Sequence, residues 1–252
     1  MTARNIDHVV ITVADLEHTK TLWESLGFTV TPRAVHPFGT ANCLIQLQGN
    51  FIEFVEIDDP SRIEETTNAF FSFAAHNRDW LQQRGEGLSM LVLTSQDRDT
   101  DQQEWKAEGL RTYEPFNFER MARQPDGSDK RVAFRLAFTG LPTLDGLGFF
   151  VCEQETPDVF WKPQYQSHAN GAQRISAITV EANEPAGAQD FLQRMGRGTA
   201  TDTGVALADD RIEITSGPRA SIEELEIQIT EGESRTIPDD KSSGVSVRLV
   251  RV

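Results

Sequence analysis

Residues 6–30 read IDHVVITVADLEHTKTLWESLGFTV, and the order of residue types along this stretch decides the fold. Residues 6–13 are rich in β-branched side chains, which suit a pleated strand. Asp15 can cap a helix on which Leu16, Leu22, Trp23 and Leu26 form an apolar stripe, and Gly27 supplies its stop. The same grammar returns in residues 88–94, followed by Asp97, Trp105 and Gly109, with Asp-to-Gly and Trp-to-Gly spacings identical to those of the first segment. It returns once more in residues 175–182, through Glu184 and Phe191 to Gly196, with the same acidic-to-Gly spacing. A strand, a helix of constant length and a Gly stop at fixed offsets constitute an internal repeat.

Each unit continues into strands. Residues 41–47 and 51–57 follow the first helix, and residues 131–139 and 147–153 follow the second, with Asp126 and Gly127 as a hairpin turn. After the third helix come residues 205–208, 211–215, 222–229 and 245–252, a shorter copy. The expected fold is α+β, with repeated βαβββ modules pairing into a cupped mixed β-sheet and a third partial module. The expected boundaries are a first module at 1–58, a connecting helix at 59–86, a second module at 87–155, an aromatic-rich loop at 156–173, and a third, partial βαβ-type module at 174–252. In the connecting helix, Pro60 marks the start and Phe70, Phe71, Phe73, Trp80 and Leu81 make an apolar face.

With 39 acidic against 24 basic residues, the formal net charge is −15. Such a charge repels phosphate backbones and anionic membrane surfaces, so neither nucleic acid nor membrane is an expected partner. No apolar run approaches the roughly 20 residues of a membrane span. The opening residues lack the basic region and apolar stretch of a secretory signal, so the expected compartment is cytoplasmic. Cys43 and Cys152 each lie in an apolar run and suit buried, reduced thiols. There is no G-x-S-x-G elbow, P-loop, C-x-x-C or H-E-x-x-H, which leaves hydrolase, nucleotide-cofactor and zinc-ribbon chemistry without a motif.

The opening stretch, together with GTANCLIQLQGNFIEFVEI at 39–57, resembles the first module of the vicinal-oxygen-chelate superfamily, the glyoxalase, bleomycin-resistance and extradiol-dioxygenase group. HPFGTAN at 36–42 and FWKPQYQSHANGA at 160–172 resemble its glyoxalase-like subgroup with long chains. The resemblance covers about the first 185 residues well and the remainder weakly. It implies that two modules, here the first and second, pair around a small-molecule ligand. It also implies one divalent metal, Zn, Mn, Ni or Fe, held from the first and last strands of paired modules. A homodimer is the expected assembly, and no nucleotide cofactor is expected.

By the resemblance, His8 and Glu53 fall at the metal positions of module one. The repeat offset places Met90 at the position of His8 in the second copy and Ala177 in the third, and neither holds a divalent ion. Glu213 aligns with Glu53 in the third copy, whereas the second offers Phe150 or, with a shifted register, Glu153. Pairing of modules one and three yields the set His8, Glu53 and Glu213. Pairing of one and two leaves His8 and Glu53, as a metal pair or as a hydrogen-bonded core pair. Glu53 and His168 are the candidate acid and base groups, His168 because an imidazole titrates near neutral pH. The candidate substrate-binding residues are His36 and Asn42 about the Gly39 bend, Arg120, Arg135 between the small Ala133 and Ala137, and Trp161 in the covering loop. Two functions stay open. One is a glyoxalase-like enzyme of lyase, isomerase or dioxygenase type acting on a small oxygenated metabolite, and the other is a metal-free binding or sequestration protein of the bleomycin-resistance type.

Overall fold

The computed structural model describes residues 2–123 and 127–252, so Asp126 of the expected hairpin turn lies outside the described residues. The first module comprises β1 (Ile6–Thr12), α1 (Leu16–Ser25), β2 (Ala34–Val35), β3 (Thr40–Gln46) and β4 (Phe51–Ile57). After α2 (Phe73–Arg84) come β5 (Gly87–Thr94), α3 (Arg98–Ala107), β6 (Arg111–Thr112), β7 (Phe116–Arg123), β8 (Asp129–Gly140) and β9 (Gly148–Gln154). A single turn, α4 (Pro157–Phe160), leads to β10 (Ala172–Ala182), α5 (Pro185–Gly196), β11 (Thr199–Thr201), β12 (Gly204–Ala206) and β13 (Arg211–Ser216). The chain finishes with β14 (Ser221–Ile229), β15 (Arg235–Ile237) and β16 (Ser246–Arg251).

Among the described residues these strands form two mixed sheets. The first has the order β2-β3-β4-β1-β5-β9-β8-β6, with β7 also paired to β8, and the second has the order β11-β12-β13-β10-β14-β16-β15. Modules one and two therefore meet through the antiparallel pair β1 and β5. The second sheet repeats this plan: β14 runs antiparallel to β10 as β5 does to β1, and β16 runs parallel to β14 as β9 does to β5. Where the sequence suggests one partial module, the tail thus holds a complete third unit and three further strands equivalent to a fourth that lacks its helix. No helix among the described residues is long and apolar enough to cross a membrane.

The helix ends follow the sequence grammar with one correction. Asp15 accepts from the His18 N–H, and Asp97 accepts from the Asp99 and Thr100 N–H groups. Gly27 and Gly109 then stop their helices at φ +90° and +75°, values that glycine adopts without strain. Gly196 remains inside α5, and Arg197 takes the left-handed position instead at φ 51°. A Cβ on Gly196 would lie 2.6 Å from Leu207 Cδ2, so its glycine serves close packing rather than the stop. The connecting helix is also shorter than expected. Pro60 opens only a single 3-10 turn, and the helix itself starts at Phe73, where the Ser72 hydroxyl caps Ala75.

β1 is buried along its whole length because each of its faces meets a core. Val9 and Ile11 join Trp23, Phe54, Ile178 and Phe191 in a core shared by the two sheets and their helices. His8, Val10 and Thr12 point the other way, into the cup, whose core is dominated by Phe51, Phe73, Phe134, Phe138 and Phe150. Each phenylalanine fully withdrawn from water contributes roughly 1.5–3 kcal/mol, so the cup holds itself together before any ligand enters.

Candidate active site

The cup's chamber is set up by a flaw in β1. Opposite β5, Ile6 pairs with Leu93 and His8 with Val92, which leaves Asp7 as an extra residue. Such a bulge re-aims side chains that strict alternation would separate. The Asp7 carboxylate consequently reaches the neighbouring imidazole, and His8 Nδ1–H donates to Asp7 Oδ1 at 2.6 Å. Gln154 donates to the other Asp7 oxygen at 3.0 Å. A carboxylate that can only accept fixes the proton of His8 on Nδ1 and leaves Nε2 for chemistry. The ring is stacked on Phe51 at 4.2 Å, with the edge of Phe150 at 5.5 Å.

Glu53 comes from β4, which runs parallel beside β1 with Val10 opposite Glu53. Its Oε2 lies 3.6 Å from His8 Nε2, beyond a direct hydrogen bond. Its Oε1 accepts from Asn42 Nδ2 at 2.6 Å. The second hydrogen of that amide reaches His36 Nε2 at 3.1 Å, while His36 Nδ1–H donates to the Thr40 hydroxyl at 2.8 Å. Thr40, His36 and Asn42 therefore form a relay that fixes the orientation of Glu53.

Burial pushes the Glu53 carboxyl above its ordinary range, an effect that His8, the Asn42 hydrogen bond and Arg120 oppose. Burial, with Arg120 adding repulsion, lowers the His36 imidazole to about 3, so His36 is a neutral positioning residue near neutral pH. The chamber is lined by these polar groups, Arg120, Cys152 and seven phenylalanines. Burial raises the Cys152 thiol well above its normal value, which keeps it in the unreactive thiol form.

The structure thus brings His8, Glu53, His36, Asn42 and Arg120 together. Trp161 stands one layer behind, packed on Phe51 at 5.8 Å and Phe160 at 5.0 Å. Arg135 does not face the chamber. Its strand neighbours Phe134 and Leu136 do, and the alternation of β8 sends Arg135 to the opposite side, where it pairs with Asp99 and Glu153. Glu213 belongs to the other sheet and is ion-paired with Arg211 at 2.8 Å, so it does not join His8 and Glu53.

His168, expected as an acid or base, has both ring nitrogens engaged by backbone. Thr29 N–H donates to Nδ1 at 3.0 Å, and Nε2–H donates to Gln46 O at 2.9 Å. It pins the covering loop to the first module. We expect His168→Ala to lower unfolding free energy by about 1–3 kcal/mol, since two buried backbone groups lose partners. Denaturant titration measures that loss, while ligand binding in the chamber stays unchanged; weakened binding with unaltered stability would return His168 to the site.

The strand register also tests whether a divalent metal fits. Val10 stands opposite Glu53 in the pair of β1 and β4, and Val92 stands opposite Phe150 in the pair of β5 and β9. The second-module counterparts of His8 and Glu53 are therefore Met90 and Phe150, a thioether and a phenyl ring. Glu153 faces Arg135 instead. One oxygen of Glu53 is already taken by Asn42, and no group of three or more His, Cys, Asp or Glu suited to a metal occurs among the described residues. His36 Nε2 lies 3.7 Å from Glu53 Oε1 but is taken up by the Asn42 amide, so only His8 and one Glu53 oxygen remain, and two donors do not fit a tightly held catalytic ion, which takes three or more protein ligands.

The family model described as a glyoxalase-like domain matches residues 6–196. Among solved structures, a hypothetical protein from Staphylococcus aureus matches with a TM-score of 0.78 at 15% identity, over 98% of this chain and 99% of that one. A triple mutant of 4-hydroxymandelate synthase from Streptomyces coelicolor gives a TM-score of 0.59 at 11% identity, over 92% and 72% respectively. Methylmalonyl-CoA epimerase from Mycobacterium tuberculosis gives 0.42 at 20% identity, over 61% and 90%. At such identities the first two likenesses speak for the fold alone. No curated protein matches the sequence.

Proposed function

The chain belongs to the glyoxalase-like domain family of the vicinal-oxygen-chelate superfamily, and from that premise we propose that it is an enzyme moving a proton within a small oxygenated metabolite, of isomerase or lyase type, without a resident metal. One observation carries this reading: a buried carboxylate and an imidazole oriented by Asp7 stand side by side on the wall of an apolar chamber. Glu53 as carboxylate takes a proton from carbon beside a carbonyl. His8, held through Nδ1–H by Asp7, gives a proton from Nε2 to the developing oxyanion; Glu53 then delivers its proton to the former carbonyl carbon while His8 recovers one from the hydroxyl on the carbon first deprotonated, which completes the shift. The apolar walls keep bulk water from competing for those protons. A dioxygenase would need bound iron, for which Met90 and Phe150 offer no ligand.

The same two residues favour a second reading, a metal-free binding protein of the bleomycin-resistance type. Solvent deuterium separates the two. A panel of small 2-oxo and 2-hydroxy acids and aldehydes is incubated with chelator-treated protein in heavy water and followed by proton NMR. We expect loss of one carbon-bound proton signal on a turnover timescale for at least one member. Tight binding of a member with no exchange sinks the enzyme reading and favours the binder, and exchange abolished by chelation sinks its metal-free part.

A further inference from the structure

Arg120 is an exception among the enclosed arginines. Arg4, Arg98, Arg174 and Arg197 each meet at least one carboxylate. In a chain with 39 acidic against 24 basic residues, such partners are plentiful. Yet Arg120 Nε is buried without a hydrogen-bond partner, and the guanidinium forms no ion pair among the described residues. Glu53 acts on it only through space, with Oε1 of Glu53 bonded to Asn42. β7 carries Phe118 and Arg120 on one face, opposite Phe134 and Val132 of β8, so both line the chamber. Arg120, Asn42, Leu44 and Phe160 also border an adjoining, more polar outer cleft. A half-buried guanidinium with no ion pair of its own gains from a ligand anion that supplies one.

We infer that the chamber takes a small organic carboxylate with a flat, apolar body, its carboxylate gripped by Arg120 and its body packed among the phenylalanines; this rests on the proton-transfer reading and names its substrate class. A guanidinium presents a planar fork that matches the two oxygens of a carboxylate. The inner chamber holds no lysine and no second arginine, and His36 is neutral, so a monoanion suits it better than a phosphate dianion. The seven phenylalanines leave little to satisfy a polar body and much to stack on a ring.

The test is calorimetric titration of the full chain with phenylacetate, phenylacetamide, acetate and inorganic phosphate. Phenylacetate should bind at least about tenfold more tightly than its uncharged amide and than acetate. Arg120→Gln should erase the preference for the acid, and Arg120→Lys should retain part of it, because a point charge replaces the fork. Arg120→Met should raise the thermal midpoint of the ligand-free protein by about 2–6 °C, since it replaces a half-buried charge that has no ion pair with an apolar side chain. A structural arginine would instead lower it. Equal affinity for amide and acid, binding of phosphate alone, no binding of either aryl probe at millimolar concentration, or an unaltered preference in Arg120→Gln overturns the assignment. Failure here with deuterium exchange intact removes the carboxylate and leaves the acid and base pair; acid-selective binding without exchange does the reverse.

Discussion

Glu53→Gln is expected to slow solvent-deuterium exchange by about 10³-fold, the scale on which a positioned general base acts. The substitution preserves the shape of the side chain and the Asn42 hydrogen bond to Oε1. It places an amide beside His8 Nε2 where the carboxylate oxygen stood at 3.6 Å. Stability should hold or rise, because a buried acid whose ionisation burial opposes is replaced by a neutral group. Rate and thermal midpoint are read on the same preparations. A variant that keeps wild-type exchange would falsify the base role, and one that unfolds would show that the pair is chiefly structural. Because Glu53 works as a carboxylate, the wild-type rate should climb as pH rises through its elevated pKa.

Much of this architecture was legible because it repeats. Asp15 to Gly27 and Asp97 to Gly109 announced two equivalent helices, and strand alternation put His8 with Val10 and Glu53 with Phe51 on the cup face, where the structure has them. Asp7 was not legible, since period-two alternation assigns it to the face opposite His8 and only the bulge brings the two together. The placement of Arg135 is hidden for a related reason. Strand alternation sets it apart from Phe134 and Leu136, but nothing in β8 alone says which face the cup adopts, and the phenylalanines rather than the arginine take the inside. The backbone groups of Thr29 and Gln46 that hold His168 lie far away in sequence, so its place in the fold leaves no local signal. Glu213 matched Glu53 in its local pattern, but it serves the equivalent sheet of the tail.

The relay behind Glu53 makes a second large effect measurable by acid. His36 is 3% exposed and neutral in the fold, with its pKa lowered to about 3, whereas an unfolded chain protonates a histidine near 6.5. The unfolded state therefore binds more protons throughout that interval, and stability falls as pH drops from about 6.5 towards 3. At up to about 1.4 kcal/mol per pH unit, His36 alone accounts for roughly 3 kcal/mol by pH 4. His76, which burial lowers to about 4, adds to the loss in the same direction. The raised Glu53 carboxyl works against it, since protonation near and above the unfolded value favours the folded state. Urea titrations at pH 7, 6, 5 and 4 on wild type and on His36→Gln separate these terms, because glutamine cannot charge. The variant should start less stable, with the Asn42 relay disturbed, yet lose less per pH unit. Parallel curves for the two proteins would mean that His36 charges in the fold as it does in water, and the neutral relay that holds Glu53 would have to be abandoned.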